Sequence, residues 1–128
     1  MKGFLEGKNI VITGAGSGIG KAIAIAAAKE GANIVVADYG VALDGSEPTS
    51  EIAESTSEEI RALGVEAIPV AGDVSKMETG EQVISAAVEN WGSVDGVVCV
   101  AGILRERMLF NMSEDEWDAV IAVHLKGH

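Results

Sequence analysis

Apolar residues along this chain fall in short unbroken runs, separated by stretches in which they recur at helical spacing. The runs are NIVIT at 9–13, NIVVAD at 33–38, a weaker EAIPVAG at 66–72 that carries Pro69, and DGVVCVAG at 95–102. Continuous β-branched runs of this length suit strands covered on both faces, the habit of parallel sheets. Between them, Ile19, Ile23, Ala26 and Ala27 form one stripe and predict a helix over 18–30 that stops at Gly31. Ile52, Thr56, Ile60 and Leu63 predict a second over 50–63, ending at Gly64. Val83, Ala87, Val88 and Trp91 mark a third, closed by Gly92, with Ser75-x-x-Glu78 as a candidate cap at its start. A fourth opens with the capping box Ser113 to Glu116 and then places Trp117, Val120, Ile121 and His124 on one face. Strand and helix alternating four times predict βαβ units and an α/β fold with a parallel sheet.

The segment 40–49, GVALDGSEPT, reads as a long exposed loop, and no interdomain linker or repeat interrupts the pattern, so residues 1–128 are expected to be one domain. With 48% hydrophobic residues the chain can build a core, and none of its apolar runs is long enough to span a bilayer. MKGFLEGKN at the start shows no secretory signal, which points to a cytoplasmic protein. The net charge of −11 argues against nucleic acid or an anionic membrane as partner. The single cysteine, Cys99, excludes an internal disulfide and a cysteine-based metal cluster, and its apolar setting predicts a small buried hydrophobe. No metal site is expected.

Candidate chemistry concentrates in TGAGSGIG, residues 13–20. Four glycines in eight residues are costly to order, so the cluster needs a geometric reason. Lying after a strand and before a helix, it can turn tightly, admit a pyrophosphate without a Cβ in the way, and offer helix N-terminal N–H groups to the phosphates. Gly14, Ser17, Gly18, Ile19 and Gly20 are the candidate contacts. Asp38 stands 18 residues beyond Gly20, at the end of the second strand, where a carboxylate can accept the ribose hydroxyls of an adenosine. A phosphate on that ribose would be repelled by about 3 kcal/mol per unit charge at roughly 5 Å, at an effective dielectric near 20. With no lysine or arginine in the glycine loop or just after Asp38, NAD is expected over NADP.

The spacing T-G-x-x-x-G-x-G, carried by Thr13, Gly14, Gly18 and Gly20, resembles that of the short-chain dehydrogenase/reductase family, and the likeness runs over all 128 residues as the N-terminal half of its Rossmann-type doubly wound fold. The resemblance implies that Asp73 and Val74 contact the adenine edge. It also implies that CVAG at 99–102 replaces an Asn-Asn-Ala-Gly motif, with Val100, Ala101 and Gly102 beside the nicotinamide ribose. Cys99 and Val100 depart from that motif by losing its two asparagines. WDAVIAVHLKG sets His124 where the family has an asparagine that supports a proton relay. His124 is expected to point inward, either as a buried, hydrogen-bonded structural histidine or as a relay. The stretch from Ala101 to His128 is most similar to the dehydrogenase part of peroxisomal-type multifunctional β-oxidation enzymes and to similar bacterial short-chain proteins, implying a 3-hydroxyacyl thioester or a related secondary alcohol as substrate.

The family's Ser-Tyr-Lys set is not matched in these residues. The one tyrosine, Tyr39, has Leu43 and not lysine four residues on, so Tyr39 either flanks the adenosine or is exposed. The sequence therefore reads as about half of a larger fold, with two functions open. One is the N-terminal part of an NAD-dependent alcohol oxidoreductase, with an acyl-carrier-protein reductase as competitor. The other is a dinucleotide-binding module without chemistry. Resemblance further implies a homo-oligomer, dimer or tetramer, formed partly through the helix that begins near Ser113.

Overall fold

The computed structural model describes residues 3–38, 51–101 and 111–128. Four strands, β1 (Asn9–Thr13), β2 (Asn33–Asp38), β3 (Ala67–Ala71) and β4 (Gly96–Cys99), alternate with helices α1 (Gly18–Lys29), α2 (Glu51–Arg61), α3 (Met77–Trp91) and α4 (Glu114–Ile121). A π-helical turn, Ala122–Lys126, continues α4. All strand pairs are parallel, in the order β3-β2-β1-β4. This is the α/β arrangement with a parallel sheet that the alternation of runs predicts, doubly wound as the resemblance implies. Loop 40–49, Tyr39 and Gly102 lie outside the described residues.

Both faces of the central strands are covered. Ile12, Ile34 and Val36 pack with Ala24, Ala27, Ala28, Ala53 and Ile60 beneath α1 and α2. Their neighbours Val11, Val35 and Ala37 pack with Val83 and Ala87 of α3. Alternate residues of one strand thus serve two cores, which is why the runs are apolar without a break. Along the N-terminal edge of the sheet a ladder of polar side chains fixes the strand starts. Asp95 accepts from the Asn9 N–H at 2.8 Å, and the Asn9 amide donates to Ser93 Oγ at 3.1 Å. Asn33 donates to Asn9 Oδ1 at 3.1 Å and accepts from the Glu66 N–H at 3.1 Å.

Several expectations are corrected in detail. The buried stripe of α1 is Gly20, Ala24, Ala27 and Ala28, with Ile19 73% exposed, because only small side chains let the helix lie this close to the sheet. In α2 the buried positions are Ala53, Thr56, Ser57 and Ile60, while Leu63 is exposed; in α3, Val88 is exposed. Ser75 does not cap α3; Lys76 takes that place, and Ser75 donates its N–H and hydroxyl to Asp73 Oδ1 at 2.9 and 2.7 Å. Cys99 is exposed, not buried. It shares a sheet face with Val97, itself exposed, and α3 covers that face over β1, β2 and β3 but does not reach β4.

The capping box of α4 forms as expected, with Ser113 Oγ accepting from the Glu116 N–H at 3.1 Å and the Glu116 carboxylate accepting from the Ser113 N–H at 3.3 Å. Its apolar face is another correction. Among the described elements α4 packs only on the π turn that follows it, so Trp117 and Ile121 are exposed, and His124 is exposed too and does not point inward. No described helix is long and apolar enough to cross a membrane.

Candidate nucleotide site

The C-terminal ends of the parallel strands converge on one edge of the sheet, the place where open α/β sheets bind ligands. The glycine segment lies across it. Gly14 has φ +70°, and a Cβ there would sit 2.8 Å from the Ala101 nitrogen, so only glycine allows this approach between the loop and the end of β4. A Cβ on Gly20 would overlap the Gly14 carbonyl, which seats the first turn of α1 against the same loop. Gly18 has φ +56° with open space around it. Ser17 caps α1 in extended backbone without a side-chain hydrogen bond to the helix, and the first turn holds no acidic residue. Ser17, Gly18 and Ile19 are exposed. The N–H groups of such a first turn precede any intrahelical acceptor and, with the helix dipole, suit an anion.

Asp38 couples this loop to β2. Its Oδ2 accepts from the Gly16 N–H at 2.8 Å, and the Ala15 N–H is bound by the Ala37 carbonyl at 3.2 Å. Two further side chains, not singled out by the sequence for these roles, hold the loop in place. Thr13 Oγ1 accepts from the Val100 and Ala101 N–H groups at 3.2 and 3.3 Å, tying the end of β4 to β1. The buried Thr56 hydroxyl of α2 donates to the Gly16 carbonyl at 3.1 Å. Thr13 was legible as part of the motif, whereas Thr56 read only as part of an apolar stripe.

The other predicted residues surround the same edge. Asp73 follows β3, next to Gly72, whose N–H is bound by the Asp38 carbonyl at 3.3 Å; its Oδ1 holds the Ser75 turn. Val74 packs against Gly127. Val100 and Ala101 face Gly14, and the Ala101 carbonyl meets His128 Nε2 at 2.7 Å. His124 lies beside His128, ring centroids 6.2 Å apart. The structure thus brings together Gly14, Ser17, Gly18, Ile19, Gly20, Asp38, Asp73, Val74, Val100 and Ala101 around the strand ends, with His124 at the rim. A Gly14 cradle that a Cβ would fill, an uncapped helix start and a carboxylate at the next strand have the chemistry that a dinucleotide site requires.

A parallel sheet with this loop at its carboxyl edge defines a Rossmann-type fold. The chain belongs to the short chain dehydrogenase family, whose model matches residues 8–128. It is 48% identical over 124 residues to the hydroxyacyl-CoA dehydrogenase ChsB1 of Mycobacterium tuberculosis, a match covering 97% of this chain and 38% of that protein. It is 37% identical to the mouse (Mus musculus) peroxisomal multifunctional enzyme type 2 over 95% of this chain and 16% of that protein. Among solved structures, a short chain dehydrogenase from Mycobacterium avium superposes with a TM-score of 0.88 at 49% identity, covering 98% of this chain and 44% of that one. The chain therefore spans less than half the length of these relatives.

Proposed function

We propose that these residues form the NAD-binding half of an oxidoreductase that interconverts a secondary alcohol and a ketone, with a 3-hydroxyacyl thioester as substrate class. The observation that carries the cofactor reading is the 2.8 Å bond from the Gly16 N–H to Asp38. It fixes a carboxylate beside the glycine loop, at the second strand's end, where it can accept ribose hydroxyls and repels a ribose phosphate. Gly14 and Gly18 give backbone access, and the start of α1 takes the diphosphate. When bound, NAD supplies the hydride acceptor. Asp73 and Val74 border the adenine end, and Val100 and Ala101 the nicotinamide end. The substrate reading is supported by the similarity to a hydroxyacyl-CoA dehydrogenase.

Hydride removal from an alcohol also needs a base for the hydroxyl proton. No Tyr-x-x-x-Lys pattern occurs within residues 1–128, so that base is assigned to the part of the family fold that these residues do not include. To His124, which lies beside His128, we assign a supporting part in that proton transfer. The test is titration of the full-length protein with NAD and NADP, followed by NADH formation from a 3-hydroxyacyl-CoA. Tighter NAD binding and turnover are expected. Tighter NADP binding with reduction of a 3-oxoacyl carrier-protein thioester would favour the reductase reading, and NAD binding without turnover of any secondary alcohol would favour a binding module.

A further inference from the structure

Beside the glycine loop, a cleft of about 380 Å³ opens between α1 and α2, lined by Gly16, Ser17, Lys21, Glu51, Ser55 and Thr56 among others. It shares Gly16 with the ribose-selecting carboxylate, since Gly16 donates its N–H to Asp38 and accepts the Thr56 hydroxyl at its carbonyl. A group carried on the ribose beside Asp38 therefore has this cleft as its neighbour. Among the described residues Lys21 is the one lysine or arginine on the cleft wall, and its Nζ lies 2.7 Å from Glu59 Oε2 of α2. Glu51 lines the same space, so the cleft carries no net positive charge although a lysine faces it.

Resting on the NAD reading above, we propose that Glu59 is a specificity-determining residue: by holding Lys21 in an ion pair, it withholds the lysine of the cleft wall from a phosphate on the adenosine ribose. Asp38 repels that phosphate directly, and the Lys21–Glu59 pair removes the charge that would offset the repulsion. Both partners are partly exposed, 34% for Lys21 and 51% for Glu59, so solvent screens the pair and the contribution is smaller than that of Asp38.

Three forms of the full-length protein, wild type, Glu59→Gln and Glu59→Gln/Lys21→Gln, are titrated with NAD and with NADP at low ionic strength. Glu59→Gln is expected to tighten NADP about fivefold while NAD stays within about twofold, and adding Lys21→Gln is expected to abolish the gain. The gain should also shrink as salt is raised. If all three forms bind NAD with the same NADP-to-NAD ratio, or if the gain survives loss of Lys21, the inference is overturned and the NAD site stands. If the wild type fails to bind NAD, the reading of the site falls first and takes the inference with it.

Discussion

The two ends of this sheet handle their polar groups in opposite ways. At the N-terminal edge, Asp95, Asn9, Asn33 and Glu66 are joined to one another in a ladder that crosses β4, β1, β2 and the start of β3. At the C-terminal edge, Thr13, Asp38 and Thr56 bind backbone of the glycine loop or of the end of β4, while the start of α1 is left without a side-chain cap. The difference separates stability from function. The first edge fixes the strand register, and the second shapes a backbone surface for a ligand.

Substitutions at the two ends should therefore fall into different classes. The largest effect is expected at Gly14→Ala, where a Cβ would meet backbone at 2.8 Å in left-handed conformation. A loss of about 3 kcal/mol in urea unfolding, together with loss of NAD binding, is expected. Wild-type stability would show that the loop can retreat from Ala101. Next, Asp38→Ala should weaken NAD about thirtyfold in a calorimetric titration and narrow its advantage over NADP, with less effect on unfolding, since the hydrogen bond it removes is worth about 1.5 kcal/mol. Asn9→Ala, at a buried ladder position, should cost a similar amount of stability, about 1.5 kcal/mol, but leave the NAD dissociation constant unchanged. A clear fall in NAD affinity there would dissolve the distinction between the edges. The smallest effect is expected for Ser113→Ala, whose lost capping box should cost about 1 kcal/mol within α4. Because α4 packs on no described strand, faster amide exchange confined to 114–121 should reveal it with little change in the global transition.

How far the sequence foretold this depends on whether a signal is local. The strands were legible because a residue buried on either face must be apolar, and the helix stops because Gly31, Gly64 and Gly92 adopt positive φ where each helix ends. The glycine loop and Asp38 were legible for the same reason: their spacing encodes a turn and a strand end. Thr56 was not, because its partner Gly16 lies 40 positions away and a hydroxyl at helical spacing looks like any other stripe residue. The rotated stripe of α1 escaped because periodicity ranks isoleucine above alanine, whereas close packing on a sheet favours the smaller side chain. Cys99 and His124 escaped because burial depends on what covers an element, and neither α3's reach nor α4's separation is written in their own segments.

Gly16 is held at both its N–H and its carbonyl by side chains from two separate elements, Asp38 and Thr56. Fixing the backbone of one residue costs about 1–2 kcal/mol of conformational entropy, and here folding has already met that cost before any nucleotide arrives. Less of the binding free energy is then consumed in freezing the loop, and more of it appears as affinity.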